Sequence, residues 1–284
     1  MRARFPLILL LAALAAAWTL RAGDGSGIAA PRFVDRFTQQ SSGAVEVDVE
    51  LVLAVDISFS MDPDEQALQR EGYIHAITSR EFLSALRDGV HGKIAMTYFE
   101  WANANEQRII VPWRLIDGPE AADAFADEIA RAYYRRASRT SISGALEFGA
   151  ALFDNSGYKG LRRVIDISGD GANNNGALLA PMRDEVVAKG IVINGLPIMV
   201  KVPLGSGMDI GELDVYYEDC VIGGPGAFLI PIKNRGEFKE ATRRKLVQEI
   251  ASRPPPPRLM QASAAAPRIR CTIGEEIWQQ RWGN

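Results

Sequence analysis

Histidine is scarce in this sequence, and the short motifs of several enzyme classes are missing. The only histidines are His75, in a helical pattern, and His91, in a Gly-flanked turn. Neither has neighbours that would make it a general base or a metal ligand. No Gly-x-Ser-x-Gly elbow, P-loop or His-Glu-x-x-His motif occurs. These absences argue against the enzymes that such motifs mark, and we expect no catalytic residues.

An excess of basic charge is also missing. Lysine and arginine total 32, against 35 aspartates and glutamates, and the formal net charge is −3. Such a balance provides no positive field for the phosphate backbone of nucleic acids. We therefore expect no nucleic-acid partner.

Long apolar runs are confined to the N-terminus. Arg2 and Arg4 precede sixteen uncharged residues, 5–20, which are short for a membrane span but typical of a secretion signal. We predict a signal peptide over residues 1–22, a flexible segment over residues 23–44, and an exported protein, periplasmic or extracellular. An uncleaved signal that anchors the protein to the membrane is the alternative.

Cysteine is as rare as histidine, since Cys220 and Cys271 are the only two. In an oxidising compartment such a pair more often forms a disulfide than a metal or catalytic site. We predict that the pair is bridged and ties the C-terminal tail to the body of the protein. Two unpaired buried thiols are the alternative.

Short β-rich runs alternate with longer helical patterns through most of the chain. The run over residues 47–56 becomes continuously apolar, as in a central strand covered on both faces. Residues 93–101 and 107–116 predict a hairpin whose second strand lies at the sheet edge, because Pro112 cannot donate to a ladder. Further strands are expected at 162–168, 191–199 and 226–232. Helices are expected at 63–86 with a break near Thr78 and Ser79, and at 119–134, 141–153, 176–189 and 238–251.

This alternation predicts one α/β domain over residues 45–252. Its sheet should be doubly wound and mostly parallel, with one antiparallel edge strand and helices on both faces. Asp62, Pro63 and Glu65 have the spacing of a capping box at a helix start. Residues 253–284 read as a Pro-rich linker and C-terminal tail, so the helix over 238–251 should be the last.

Three polar clusters fall where the carboxyl ends of the strands should meet, which is where open α/β sheets bind ligands. They consist of two carboxylates and three hydroxyls, without imidazole or thiolate. Such an all-oxygen set suits a hard cation, and a small number of protein ligands suits Mg²⁺ better than the fuller cage that Ca²⁺ prefers. The five residues are Asp56, Ser58, Ser60, Thr140 and Asp170.

Two neighbouring positions have more than one interpretation. Asp166 lies inside a buried strand and needs partners, either in support of the cation or in a purely structural hydrogen bond. The asparagines at 173–175 either rim the site or form a solvated loop, and we expect the solvated loop.

The motifs together resemble the metal-ion-dependent adhesion site of von Willebrand factor A-type (VWFA) domains. The resemblance rests on Asp-x-Ser-x-Ser followed by Met61, on Thr140 opening a helix with "SGAL", and on Asp170-Gly171 after a later strand. It spans roughly residues 47–250 and implies a Rossmann-like VWFA fold. The segments "FEW", "VIDISGDGANN" and "YYEDCVIGGPGAF" also resemble an uncharacterised family of exported bacterial proteins with such a domain.

The resemblance implies a role for each of the five residues. Ser58 and Ser60 would bind a divalent cation directly, and Thr140 would bind it in at least one state. Asp56 and Asp170 would bind it directly or through water. Mg²⁺ is the expected ion, with Mn²⁺ and Ca²⁺ as alternatives.

The sequence departs from the VWFA pattern at one position, since Gly169 stands where Thr usually precedes Asp-Gly. The departure puts the geometry of this loop in question more than the existence of the site, because the following Asp170 and Gly171 are both present.

Two carboxylates formally neutralise a dication, and the hydroxyls add no further negative charge. The ion therefore remains a good acceptor for one more anionic oxygen. In VWFA domains that oxygen commonly comes from an Asp or Glu of a partner protein. The resemblance therefore implies an exported, metal-dependent protein-binding module for adhesion or assembly, and no enzyme. One alternative is an assembly factor with a vestigial metal site. Another is a Mg²⁺-dependent hydrolase or phosphatase, against which Ser58 occupies the place of a second Asp in the aspartyl-nucleophile motif.

Overall fold

The structure is a computed structural model that describes residues 43–200, 210–251 and 267–283. The predicted signal peptide, nearly all of the flexible segment after it, and the prolines at 254–257 lie outside the described residues. None of the helices in the described ranges has the length and apolar character that a bilayer span requires.

A five-stranded sheet forms the centre of the domain. Its strands are β1 (Val45–Asp56), β2 (Ile94–Trp101), β3 (Gln107–Ile116), β4 (Tyr158–Gly169) and β5 (Ile191–Pro197). They lie in the order β3-β2-β1-β4-β5; β3 is antiparallel to β2, and the other neighbours are parallel. The predicted fold class is confirmed, including the edge position of the strand that contains Pro112.

Helices cover both faces of this sheet. They are α1 (Pro63–Ile77), α2 (Arg80–Arg87), α3 (Pro119–Arg131), α4 (Ile142–Leu152), α5 (Leu179–Ala188), α6 (Leu213–Tyr216), α7 (Phe238–Ala251) and α8 (Ile273–Trp282). The predicted capping box is present, because Asp62 Oδ1 accepts from the Glu65 amide at 2.8 Å and Glu65 Oε2 accepts from the Asp62 amide at 2.9 Å. The predicted break at Thr78 and Ser79 separates α1 from α2.

The side chains of β1 alternate between two fully buried cores. Leu51 and Leu53 pack with side chains of α1, α3 and α7 on one face. Val52 and Ala54 pack with side chains of α4 and α5 on the other. Burial on both faces explains why the sequence of this strand ends in an unbroken apolar run.

Residues 226–232 do not form the predicted sixth strand. Isolated bridges join Leu229 to Gly195 in β5 and Ile232 to Ile198, directly after β5. The amides of Ile230 and Ile232 donate to the carbonyl oxygens of Gly195 and Pro197, but the two bridges do not merge into a continuous ladder. The result is an irregular segment beside β5.

The expectation that α7 would be the last helix is also wrong. α8 forms within the predicted tail, over Ile273–Trp282. No side-chain hydrogen bond caps the N-terminus of α8, and Gly274 is its one buried residue. The local sequence therefore gives little indication of a helix here. Its place depends on contacts with distant residues, described below.

A buried ion cluster anchors α7 to the sheet. Lys245 Nζ lies 2.6 Å from Asp166 Oδ1 in β4 and 2.6 Å from Glu249 Oε1 in α7. Asn194 Nδ2 in β5 donates to the other Glu249 oxygen, Oε2, at 2.6 Å. Of the two roles considered for Asp166, the structure therefore supports the structural one, in which its carboxylate is the partner of Lys245.

Replacing Lys245 with Met should lower the free energy of unfolding by about 3–5 kcal/mol, because it leaves two buried carboxylates without their cation. Urea unfolding followed by circular dichroism measures the change. Lys239→Met, at a half-exposed position on the same helix, is the matched control and should cost less than about 1 kcal/mol. Equal unfolding midpoints for the two variants would contradict this role of the cluster.

Candidate metal centre

The pairing of β1 with β4 places two acids at neighbouring strand ends. Val55 of β1 pairs with Ser168 of β4, so Asp56 ends β1 close to where Asp170 follows β4. β2 and β4 lie on opposite sides of β1, and the direction of winding reverses there. The crevice at such a switch point is the usual ligand site of an open α/β sheet.

Four of the five predicted site residues form one chain of hydrogen bonds. Asp56 Oδ1 accepts from the Ser58 amide at 2.7 Å. The hydroxyls of Ser58 and Ser60 are 2.7 Å apart, and the Ser60 hydroxyl donates to Asp170 Oδ1 at 2.5 Å. This chain of hydrogen bonds brings two carboxylates and two hydroxyls to the same edge of the sheet.

Thr140, the fifth residue, is brought to the same edge by the loop between α3 and α4. This loop runs beside the serine motif, with a bridge between Ser58 and Ala137. Thr140 is buried, and a Cβ placed on Gly171 would lie 3.7 Å from its hydroxyl oxygen. The hydroxyl therefore lies against the turn that carries Asp170.

The expectation of a solvated loop at residues 173–175 is wrong at two of its three positions. Asn173 and Asn174 are buried, and their side chains hold the start of α4. Asn174 Oδ1 accepts from the Thr140 amide at 3.0 Å, and Asn173 Oδ1 accepts from the Ser143 amide at 3.0 Å. The Asn-rich stretch itself is the sequence signal for this role, because Asn oxygens readily accept from backbone amides in loops.

Sequence analysis missed a buried ion pair that holds the beginning of the α3–α4 loop. Arg70 Nη2 lies 2.6 Å from Glu100 Oε1, and both side chains are almost inaccessible. Arg70 also donates to the carbonyl oxygens of Ala132 at 2.6 Å and Tyr133 at 3.0 Å. The available signal was Glu100 itself, an acid at the end of an otherwise apolar strand, since a buried carboxylate needs a partner.

The acid at the end of β1 lies in an environment that disfavours its negative charge. Burial raises the pKa of Asp56 well above its usual value, and the nearby Asp170 carboxylate raises it further. Asp56 Oδ2 is buried and has no hydrogen-bond partner among the described residues. A buried carboxylate oxygen in this state requires a proton or a cation.

The residues present therefore fit the divalent ion that the VWFA resemblance implies. Carboxylate and hydroxyl oxygens are the ligands that hard cations prefer. In the described ranges, no group of three or more His, Cys, Asp or Glu side chains is arranged around a common point. The carboxylates of the predicted ligand set are those of Asp56 and Asp170.

The predicted disulfide is present and fastens the C-terminal segment beside this edge. Cys220, just after α6, is bonded to Cys271, just before α8, with 5.4 Å between their Cα atoms. The Tyr216 hydroxyl accepts from the Asn173 amide at 3.1 Å and donates to the Cys271 carbonyl at 3.4 Å. The bridge is thereby connected to the loop that follows β4.

α8 packs on the loops that carry the site. Asn173 Nδ2 donates to Glu275 Oε1 at 2.7 Å, and a Cβ at Gly274 would overlap the Asn173 carbonyl oxygen. The guanidinium of Arg139 lies 3.3 Å from the centre of the Trp278 ring. α8 therefore supports Arg139 and Asn173, which directly precede Thr140 and Asn174.

Replacing both cysteines with Ser should lower the free energy of unfolding by up to about 4 kcal/mol, because the bridge closes a loop between residues 51 apart. Thermal unfolding of parent and variant measures this loss. Amide exchange should show loss of protection first in α8, while the β1 amides remain protected. Unchanged stability and unchanged exchange of α8 would contradict the anchoring role of the bridge.

The strand order, the antiparallel edge strand and the polar residues at the ends of β1 and β4 define a VWFA-type domain. A family model described as "Protein of unknown function (DUF1194)" matches residues 46–254, and the chain belongs to that family. None of the curated proteins matches the sequence.

Solved structures share the fold at low sequence identity. The pilus adhesin SpaC from Lactobacillus rhamnosus GG is 12% identical, with a TM-score of 0.52 over 72% of this chain and 30% of its own. Proximal thread matrix protein 1 from the mussel byssus is 14% identical, with a TM-score of 0.51 over 73% of this chain and 49% of its own.

A structure described as von Willebrand factor type A from Catenulispora acidiphila is 14% identical, with a TM-score of 0.49 over 72% of this chain and 43% of its own. The chain thus spans about half or less of each of these proteins. At such identities the likeness shows the fold alone.

Proposed function

We propose that this protein is an exported binding module that captures a protein partner through a divalent cation. The ion, Mg²⁺ in the first instance, is held by the five residues that sequence analysis identified: Asp56, Ser58, Ser60, Thr140 and Asp170. A carboxylate from an Asp or Glu of the partner completes its coordination. The role is binding, and no catalytic step is assigned to the site.

The observation that carries this proposal is the buried, unpartnered Oδ2 of Asp56. Asp170 accepts from the Ser60 hydroxyl at 2.5 Å, so a second negative charge lies close by. A dication neutralises both carboxylates and supplies the partner that Oδ2 lacks among the described residues. Without an ion, the two like charges oppose each other in a region from which water is largely excluded.

The rest of the ligand set leaves the ion open to an external anion. Three of the five ligands are hydroxyls, which add no charge, so the ion attracts a further negative oxygen. Ser60 is partly accessible, and the neighbouring Phe59 side chain is 58% exposed. The route to the ion from solvent therefore passes Phe59 and Ser60.

The rim of the site is basic and aromatic, which favours an acidic partner. Arg136 Nη2 donates to the Phe59 carbonyl at 2.7 Å, and its guanidinium lies 5.3 Å from the centre of the Phe59 ring. Arg139 stacks on Trp278 in α8. Positive charge beside the ion would attract and orient an Asp- or Glu-containing segment.

The descriptions of two proteins of similar fold support export and adhesion. One structure of similar fold is described as a pilus adhesin and another as a thread matrix protein. The charged and apolar pattern of residues 1–22 supports secretion to the periplasm or the cell exterior.

Calorimetric titration with Mg²⁺ and with Mn²⁺ tests the metal site. The parent should bind one ion per chain, whereas the Ser58→Ala, Ser60→Ala double variant should bind none, because it lacks two of the ligands. Ser84→Ala, at an exposed position on α2, is the matched control and should bind like the parent. Circular dichroism should show the same fold in all three. No binding by the parent, or equal binding by the double variant, would refute the site.

A blocked tripeptide tests the partner chemistry. Acetyl-Gly-Asp-Gly-amide should shift amide resonances around Ser60 in the presence of Mg²⁺, because its carboxylate can reach the ion. The same peptide after EDTA treatment, and acetyl-Gly-Asn-Gly-amide with Mg²⁺, should produce no shifts. Equal shifts with the Asp and Asn peptides would argue against capture of a carboxylate.

A further inference from the structure

Two buried polar atoms at the metal centre lack hydrogen-bond partners. One is Oδ2 of Asp56, and the other is the hydroxyl of Tyr217, which follows α6; neither atom has a partner in the described part of the chain. Both residues are completely inaccessible to solvent. Leaving such groups unsatisfied is costly, so their coincidence in one place requires an explanation.

The two atoms face the same point, next to Gly169. A Cβ placed on Gly169 would lie 2.8 Å from Asp56 Oδ2 and 3.0 Å from the Tyr217 hydroxyl oxygen. Any larger residue at position 169 would therefore displace one of them. This position is also where the sequence departs from the VWFA pattern, since Thr usually precedes Asp-Gly.

A second glycine makes room for the same tyrosine. A Cβ placed on Gly195 in β5 would lie 2.7 Å from Cδ1 of the Tyr217 ring. Glycines at 169 and 195, on neighbouring strands, thus form a slot into which the ring extends. Tyr217 begins a π-type turn that ends at Val221 and contains Cys220, so the disulfide helps to hold this segment.

We propose that Tyr217 is a positioning residue of the metal centre: its hydroxyl, through one water molecule, holds the Asp56 carboxylate in the orientation that binds the ion. The inference rests on the proposed function, because it assigns Tyr217 to the same ion. It also explains the departure at Gly169, since a hydroxyl from a distant segment occupies the space beside Asp56 that a side chain at position 169 would need.

The chemistry of the two groups is complementary. A phenol keeps its proton at neutral pH and can donate it in a hydrogen bond. The carboxylate oxygen can only accept. Hydrogen bonds from outside the ligand set commonly orient metal-binding carboxylates, and their loss typically lowers metal affinity about 10–100-fold.

Mg²⁺ titration of Tyr217→Phe by calorimetry tests the inference. This variant keeps the ring and loses only the hydroxyl, so it should fold and should bind Mg²⁺ about tenfold more weakly than the parent. Tyr98→Phe is the matched control, because Tyr98 is also fully buried, its hydroxyl has no hydrogen-bond partner among the described residues, and it lies in the opposite core. It should bind Mg²⁺ like the parent.

Near-ultraviolet absorbance provides a second measurement that a merely structural hydroxyl would not change. Mg²⁺ should alter the tyrosine absorbance of the parent and of Tyr98→Phe, and this change should disappear in Tyr217→Phe.

If Tyr217→Phe binds as tightly as the parent, the inference is wrong while the metal site stands. If the parent binds no ion, both the inference and the proposed function fail. If Tyr217→Phe does not fold, an unchanged tyrosine spectrum of the Mg²⁺-bound parent would by itself overturn the inference.

Discussion

The buried carboxylate of Asp56 is the constraint on which the functional edge of the sheet depends. Parallel pairing of β1 with β4 places this acid next to Asp170, and the residues between them in space are serines. Asp166 in the same sheet is paired with Lys245, whereas Asp56 Oδ2 has no hydrogen-bond partner among the described residues. Within one domain, therefore, a buried acid of the core is neutralised by a lysine, whereas the proposed function assigns the acids at the strand ends to an ion from solution.

The loops around this edge are held by groups that do not compete for that ion. Asn174 binds the backbone of Thr140, and the ion pair of Arg70 and Glu100 fixes the beginning of the same loop. The disulfide and α8 support the opposite side, through Asn173. Under the proposed function, rigid support of this kind would hold the ligands in place before the ion binds and so reduce the entropy lost on binding.

Features that depend on local sequence were predictable. The apolar run of β1, the capping box at Asp62 and the edge strand with Pro112 follow from burial, local hydrogen bonds and the missing proline N–H. The polar clusters at the strand ends were also predictable, because each is a short motif directly after a strand or before a helix. The metal-binding roles of these residues remain predictions.

Features that depend on distant contacts were not predictable. α8 has weak helix signals of its own and is held by Cys220 and Asn173, which are far away in sequence. The slot for Tyr217 requires glycines on two strands, and nothing in the local sequence connects Gly169 with a tyrosine 48 positions later. From the sequence, Gly169 was only a departure from the VWFA pattern. The Tyr217 hydroxyl, which lies next to it, comes from a distant part of the chain.

The most direct test of the central claim is anomalous diffraction from crystals of the protein soaked in Mn²⁺. The account predicts one strong anomalous peak at the carboxyl ends of β1 and β4, within coordination distance of the Ser58 and Ser60 hydroxyls. It also predicts that the peak disappears when the crystals are treated with EDTA. Mn²⁺ peaks elsewhere on the protein, with none at this edge, would contradict the claim that Asp56 is buried there to hold a divalent cation.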